Sequence, residues 1–136
     1  MREIKVLLVD DEEMILEVGG EMLKKLGYEV LTAQNGDKAL SIHGTDPGRV
    51  DLTILDMVMP GIDGGRTFDL IREAAPGLPV ILSSGYAVNG EAEAIMGRGC
   101  SAFIQKPFTL AELSKKVRAV LDDAGGTASS GRQSGG

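Results

Sequence analysis

Five short apolar runs alternate with five longer segments of helical pattern, and nothing constrains the fold of this chain more than that alternation. The runs cover residues 4–9, 28–33, 52–55, 79–82 and 101–105, each of strand length and rich in Val, Ile, Leu or aromatic residues. Between them lie helical patterns. Residues 12–26 place apolar side chains at Met14, Ile15, Val18, Met22, Leu23 and Leu26, with acidic residues at the start and Gly27 as a C-cap. Asn35-Gly36 makes a turn before a short helix that ends near His43, where the histidine reads as a surface residue. Phe68, Leu70 and Ile71 carry a third helix, and residues 90–96 a weaker one rich in Ala and Glu. Thr109 and Glu112 form a capping box for the last, whose stripe is Leu110, Leu113, Val117, Val120 and Leu121. Strict alternation of this kind implies an α/β, doubly wound (βα)5 domain with a five-stranded parallel sheet, helices on both faces and right-handed crossovers.

At 136 residues the chain is one domain by length. Residues 1–123 hold all the patterned sequence, and residues 124–136 are expected to be a disordered tail or linker. A net charge of -6 argues against nucleic acid and anionic membranes as partners. There is no apolar run of bilayer length and no signal-peptide core, and the lone Cys100, expected to be small and partly buried, fits a reducing compartment. The expected location is the cytoplasm.

A parallel sheet points all its strands one way, so their carboxyl ends share one edge. At those ends stand Asp10 and Asp11, then Asp56, Ser83 and Lys106. Asp56 closes a nearly continuous apolar run, with Pro60 and Gly61 following within five residues to force a turn, and has no packing reason to be there. Two carboxylates about 4 Å apart repel by roughly 4 kcal/mol at an effective dielectric near 20, so three together call for a cation. Mg²⁺ suits one or two carboxylates, a backbone carbonyl and waters. With a lysine and a hydroxyl nearby, these are the parts that stabilise a transferring phosphoryl group, and Asp56 becomes the nucleophile that forms an acyl phosphate.

These residues resemble the receiver (response-regulator) domains of two-component signalling. The likeness rests on Val9-Asp10-Asp11-Glu12, on Leu55-Asp56-Met57-Val58-Met59-Pro60-Gly61 with Asp63-Gly64, on Ser83-Ser84-Gly85 and on Phe103-Ile104-Gln105-Lys106-Pro107. It implies a flavodoxin-like sheet of strand order 2-1-3-4-5. It also implies that Asp56 takes phosphate from a sensor histidine kinase or a histidine phosphotransfer domain. Asp11, Asp56 and the Val58 carbonyl would hold Mg²⁺, with Asp10 helping through water. Ser83 and Phe103 would be the switch pair, with Ser83 chosen over Ser84 by the family register, and Lys106-Pro107 would be cis. Output would go to a downstream protein or tethered domain through the face of helix 4, strand 5 and helix 5, or to a phosphorylation-dependent homodimer. The chain departs from the family pattern in having Ser at 83 and Phe at 103, where Thr and Tyr are common. Val58 and Gly85, at positions that tune hydrolysis, cannot orient a water through a polar side chain, which implies slow self-dephosphorylation.

Other classes fit less well. A haloacid-dehalogenase-like phosphatase needs an aspartate two residues after its nucleophile, where this chain has Val58. A flavin binder of flavodoxin type wants a hydroxyl-rich phosphate loop, where this chain has Asp10-Asp11-Glu12. A degenerate receiver used only for docking is disfavoured by the complete set of acids, hydroxyl and lysine. The expected role is therefore a signalling phosphoacceptor and not a turnover enzyme.

Overall fold

The computed structural model describes residues 3–45, 50–57, 64–85 and 90–129. In chain order the elements are β1 (Lys5–Val9), α1 (Glu13–Lys25), β2 (Glu29–Ala33), α2 (Gly36–Thr45), β3 (Leu52–Asp56), α3 (Gly64–Ala74), β4 (Val80–Ser84), α4 (Gly90–Gly97), β5 (Ala102–Gln105) and α5 (Leu110–Ser129). All neighbouring strands pair in parallel, in the order β2-β1-β3-β4-β5. The chain thus forms the (βα)5 parallel sheet that its alternation implies, in the flavodoxin-like strand order that the resemblance implies. Its order reverses between β1 and β3, the switch point where such sheets open a crevice at their carboxyl edge.

Successive side chains of a strand point to opposite faces, and the core divides accordingly. Leu7, Val9, Leu55, Val80 and Leu82 pack with Ala39 of α2, Phe68 and Ile71 of α3, and Ala92 and Ile95 of α4. Val6, Leu8, Leu52, Ile54, Ile81 and Ile104 pack with Leu16 and Leu23 of α1 and with Leu113, Val117 and Val120 of α5. Burial of each such side chain contributes on the order of 1.5–3 kcal/mol, so the two apolar layers fix the sheet.

Local signals act as read. At the end of α1, Gly27 (φ 97) donates to the Lys24 carbonyl and Tyr28 to that of Leu23, a Schellman closure. Thr109 and Glu112 bond reciprocally at the start of α5, at 2.8 and 3.1 Å. Asn35 does more than turn the chain, since its side chain caps α2 through the Lys38 N–H.

Four expectations need correction or extension. In α1, Met14 and Val18 are exposed (71% and 48%), while Leu16, Gly19, Gly20 and Leu23 face inward. A Cβ on Gly19 would lie 2.9 Å from Leu8 Cδ2, so the bare face of α1 rests closely on β1. Leu110 begins α5 facing outward. His43 is buried, with Nε2 3.4 Å from Thr53 Oγ1, and that burial lowers its pKa. Helix α5 continues to Ser129, past the expected boundary at residue 123. Val58, Pro60, Gly61, Asp63, Tyr86 and the last segment, 130–136, lie outside the described residues.

Candidate functional site

Asp56 is the last residue of β3, and the backbone around it is pinned on two sides. Met57 donates its N–H to the Ser83 carbonyl at 2.8 Å and accepts the Gly64 N–H at 2.9 Å. A Cβ on Gly64 would lie 2.5 Å from Met57 Cα and 2.6 Å from the Asp56 carbonyl oxygen. Only glycine fits there, and the close approach brings the start of α3 against the aspartate.

Asp10 follows β1. Its own N–H reaches the Ala33 carbonyl at 3.1 Å, and its Oδ1 accepts the Glu12 N–H at 2.9 Å. That turn leaves Asp10 buried and Asp11 exposed at the mouth of the cleft. Lys106 follows β5, tied by its N–H to the Ser84 carbonyl at 2.7 Å, and the Lys106–Pro107 peptide is cis. Its ammonium reaches back across the end of β4 to meet Asp10 Oδ2 at 2.9 Å, Asp56 Oδ1 at 3.2 Å and Glu12 Oε1 at 3.4 Å.

Negative charge is in surplus. Burial first, and then the charge of Asp10, push the Asp56 carboxyl up to about 6, although Lys106 pulls the other way. Burial also works against the Lys106 charge, but the hydrogen bond to Asp10 and the charges of Asp56 and Asp10 outweigh it, and its pKa rises. Carboxylate oxygens of Asp10, Asp11 and Asp56 all lie within 4.8 Å of one another. An all-oxygen donor set with one exposed member and uncompensated charge, opening onto a cleft, fits a hard divalent cation.

Ser83 and Ser84 are both buried at the end of β4. Ser83 pairs with Asp56 in register and shares a face with Ile81, on the α1 and α5 side. Ser84 shares the other face with Leu82, and Phe103, paired with Leu82, packs on that same face, half-buried. The sheet therefore separates Ser83 from Phe103 and brings Ser84 and Phe103 to one side. Strand parity counted from Leu82 carried that signal in the sequence. Cys100 is buried, its thiol against the Val80 carbonyl at 3.2 Å, and burial raises its pKa.

Fold and site together define a flavodoxin-like α/β domain organised around an acidic, lysine-bearing pocket at the sheet's carboxyl edge. The chain belongs to the response regulator receiver domains, whose family model matches residues 6–118. These are two-component signalling domains. The chain is 35% identical over 117 residues to the sensor kinase CckA of Brucella abortus, which covers 86% of this chain and 12% of the kinase. It is 32% identical to the alkaline phosphatase synthesis regulator PhoP of Bacillus subtilis, covering 86% of this chain and 48% of that protein. The chain thus spans half or less of both curated relatives. A crystal structure of a receiver domain protein from Clostridium thermocellum superposes with a TM-score of 0.83 at 30% identity, over 88% of this chain and 95% of that one. Among the described residues, no helix is long and apolar enough to cross a membrane.

Proposed function

We propose that the chain accepts a phosphoryl group on Asp56 from the phosphohistidine of a sensor histidine kinase or histidine phosphotransfer domain. The observation that carries this is the Lys106 ammonium shared between Asp10 and Asp56 at the carboxyl edge. An Asp56 oxygen attacks phosphorus, the N–P bond of the donor breaks, and its electron pair returns to the imidazole, which takes up a proton. Lys106 then bonds to an oxygen of the new acyl phosphate. Asp11 and Asp56, with the Val58 carbonyl and with Asp10 helping through water, would hold Mg²⁺, which supplies positive charge to the phosphoryl oxygens when bound. The residues hold and orient; they turn over no free substrate.

For the switch, Ser84 replaces Ser83 as the hydroxyl partnered with Phe103, because those two share a face. The added charge of about -1.5 to -2 draws that hydroxyl inward and changes the face of α4, β5 and α5 that meets the output partner or a second copy. Val58 offers no polar group to an attacking water, so the acyl phosphate should be long-lived. A reducing cytoplasm suits the free thiol of Cys100. Incubation with a phosphorylated histidine phosphotransfer domain tests the reading. Label should move to this chain and fail to move to Asp56→Asn, and equal labelling of both would refute it.

A further inference from the structure

We infer that Glu12 is a positioning residue for Lys106: its carboxylate is the exchangeable partner of the ammonium, which a phosphoryl oxygen on Asp56 displaces. This rests on the phosphoacceptor reading of Asp56. The Lys106 ammonium has three protons and three carboxylate partners, at 2.9 Å (Asp10), 3.2 Å (Asp56) and 3.4 Å (Glu12). A further acceptor has to displace one of them.

The three are not held equally. The Asp10 side chain is 2% exposed, and its other oxygen already serves the Glu12 N–H, so releasing Lys106 would strand a buried charge. The Asp56 side chain is 4% exposed and itself carries the incoming group. The Glu12 side chain is 63% exposed and makes the longest contact, so water replaces Lys106 there at little cost.

The backbone of Glu12 has a separate duty. It caps α1, its carbonyl accepting the N–H groups of Ile15 and Leu16, while its side chain makes no cap bond. Caps prefer Ser, Thr, Asp or Asn, and glutamate's longer reach serves Lys106 instead. Glu12 also lines the cleft together with Asp11, Asp56, Gly85 and Lys106, so an incoming phosphoryl donor passes it.

Fluoroberyllate, a tetrahedral phosphoryl mimic, tests this on the full chain at saturating Mg²⁺, with affinity read by fluorine NMR. Glu12→Gln should bind it about two- to fivefold more tightly, the equivalent of one exposed ion pair. Glu12→Asp keeps the charge but falls short of Lys106, and should tighten binding equally. In a Lys106→Ala background, Glu12→Gln should change nothing. Thermal midpoints should stay near wild type, since the cap is made by backbone. The inference is overturned if neither Glu12 variant changes the affinity, or if only Glu12→Gln does, which would mean charge repulsion at the cleft mouth. Persistence of the effect without Lys106 overturns it as well. Wild-type protein that binds no fluoroberyllate would instead overturn the phosphoacceptor reading beneath it.

Discussion

Lys106 Nζ lies 3.2 Å from Asp56 Oδ1 although β4 stands between the strands that carry the two residues. The bond from the Lys106 N–H to the Ser84 carbonyl fixes the backbone from which the lysine stem crosses that gap. Both heads are almost fully buried, with side chains 10% and 4% exposed, so bulk water offsets neither charge. Removing Lys106 should therefore separate two properties. Lys106→Met leaves three carboxylates with no internal cation, which should lower thermal stability in chelator by about 3 kcal/mol. The same change should strengthen Mg²⁺ binding and weaken phosphoryl capture. Calorimetric Mg²⁺ titration beside a phosphorylation time course checks this, and a fall in Mg²⁺ affinity would contradict it.

Asp56 gives a pH test with a defined sign. Its pKa is raised to about 6 in the folded chain, against about 3.9 for an unfolded aspartate. Between these values the folded state holds more protons, so stability falls as pH rises through the window. Asp56→Asn, which cannot ionise, should stabilise the metal-free protein above pH 6, by at most about 3 kcal/mol. Near pH 4 the gain should vanish. Thermal melts in chelator at both pH values measure it, and an equal or negative difference at high pH would count against the burial and charge argument. Saturating Mg²⁺ should reverse the ranking, because wild type has the stronger site.

Gly64 supports Asp56 by proximity. Gly64→Ala places a methyl 2.5 Å from Met57 Cα, so β3 and α3 must part. The expected loss is about 1–3 kcal/mol, with slower phosphoryl uptake. Gly77→Ala meets nothing within 4 Å and should stay within about 0.5 kcal/mol of wild type. Denaturant titration of the two variants separates close approach from mere loss of a glycine.

Strand parity makes the switch testable. Ser84→Ala should abolish the amide shift change at Phe103 on fluoroberyllate binding, and Ser83→Ala should leave it largely intact. The reverse ranking would return the switch to Ser83.

Much of this was legible in the residues. The two-face division of the core follows from apolar runs of strand length, and the caps at Gly27 and Thr109 from local chemistry. The convergence of Asp10, Asp11, Asp56 and Lys106 follows from parallel topology alone. What was not legible depends on rotation and distance. Periodicity placed Met14 and Val18 inward on α1, but the buried face is Leu16, Gly19, Gly20 and Leu23, and two glycines add nothing to an apolar pattern. His43 looked like a surface residue because nothing local showed Thr53 waiting across the α2–β3 interface. The third partner of Lys106, Glu12, is hidden for the same reason, since one more acid in a run of four carries no individual signal.

The most direct measurement is intact mass after incubation with acetyl phosphate, with and without Mg²⁺, for wild type and Asp56→Asn. The expected result is a gain of one phosphoryl mass in wild type only with Mg²⁺, and none in the variant. A gain that ignores Mg²⁺, or that survives the loss of Asp56, would contradict the assignment of this pocket as the phosphoacceptor site.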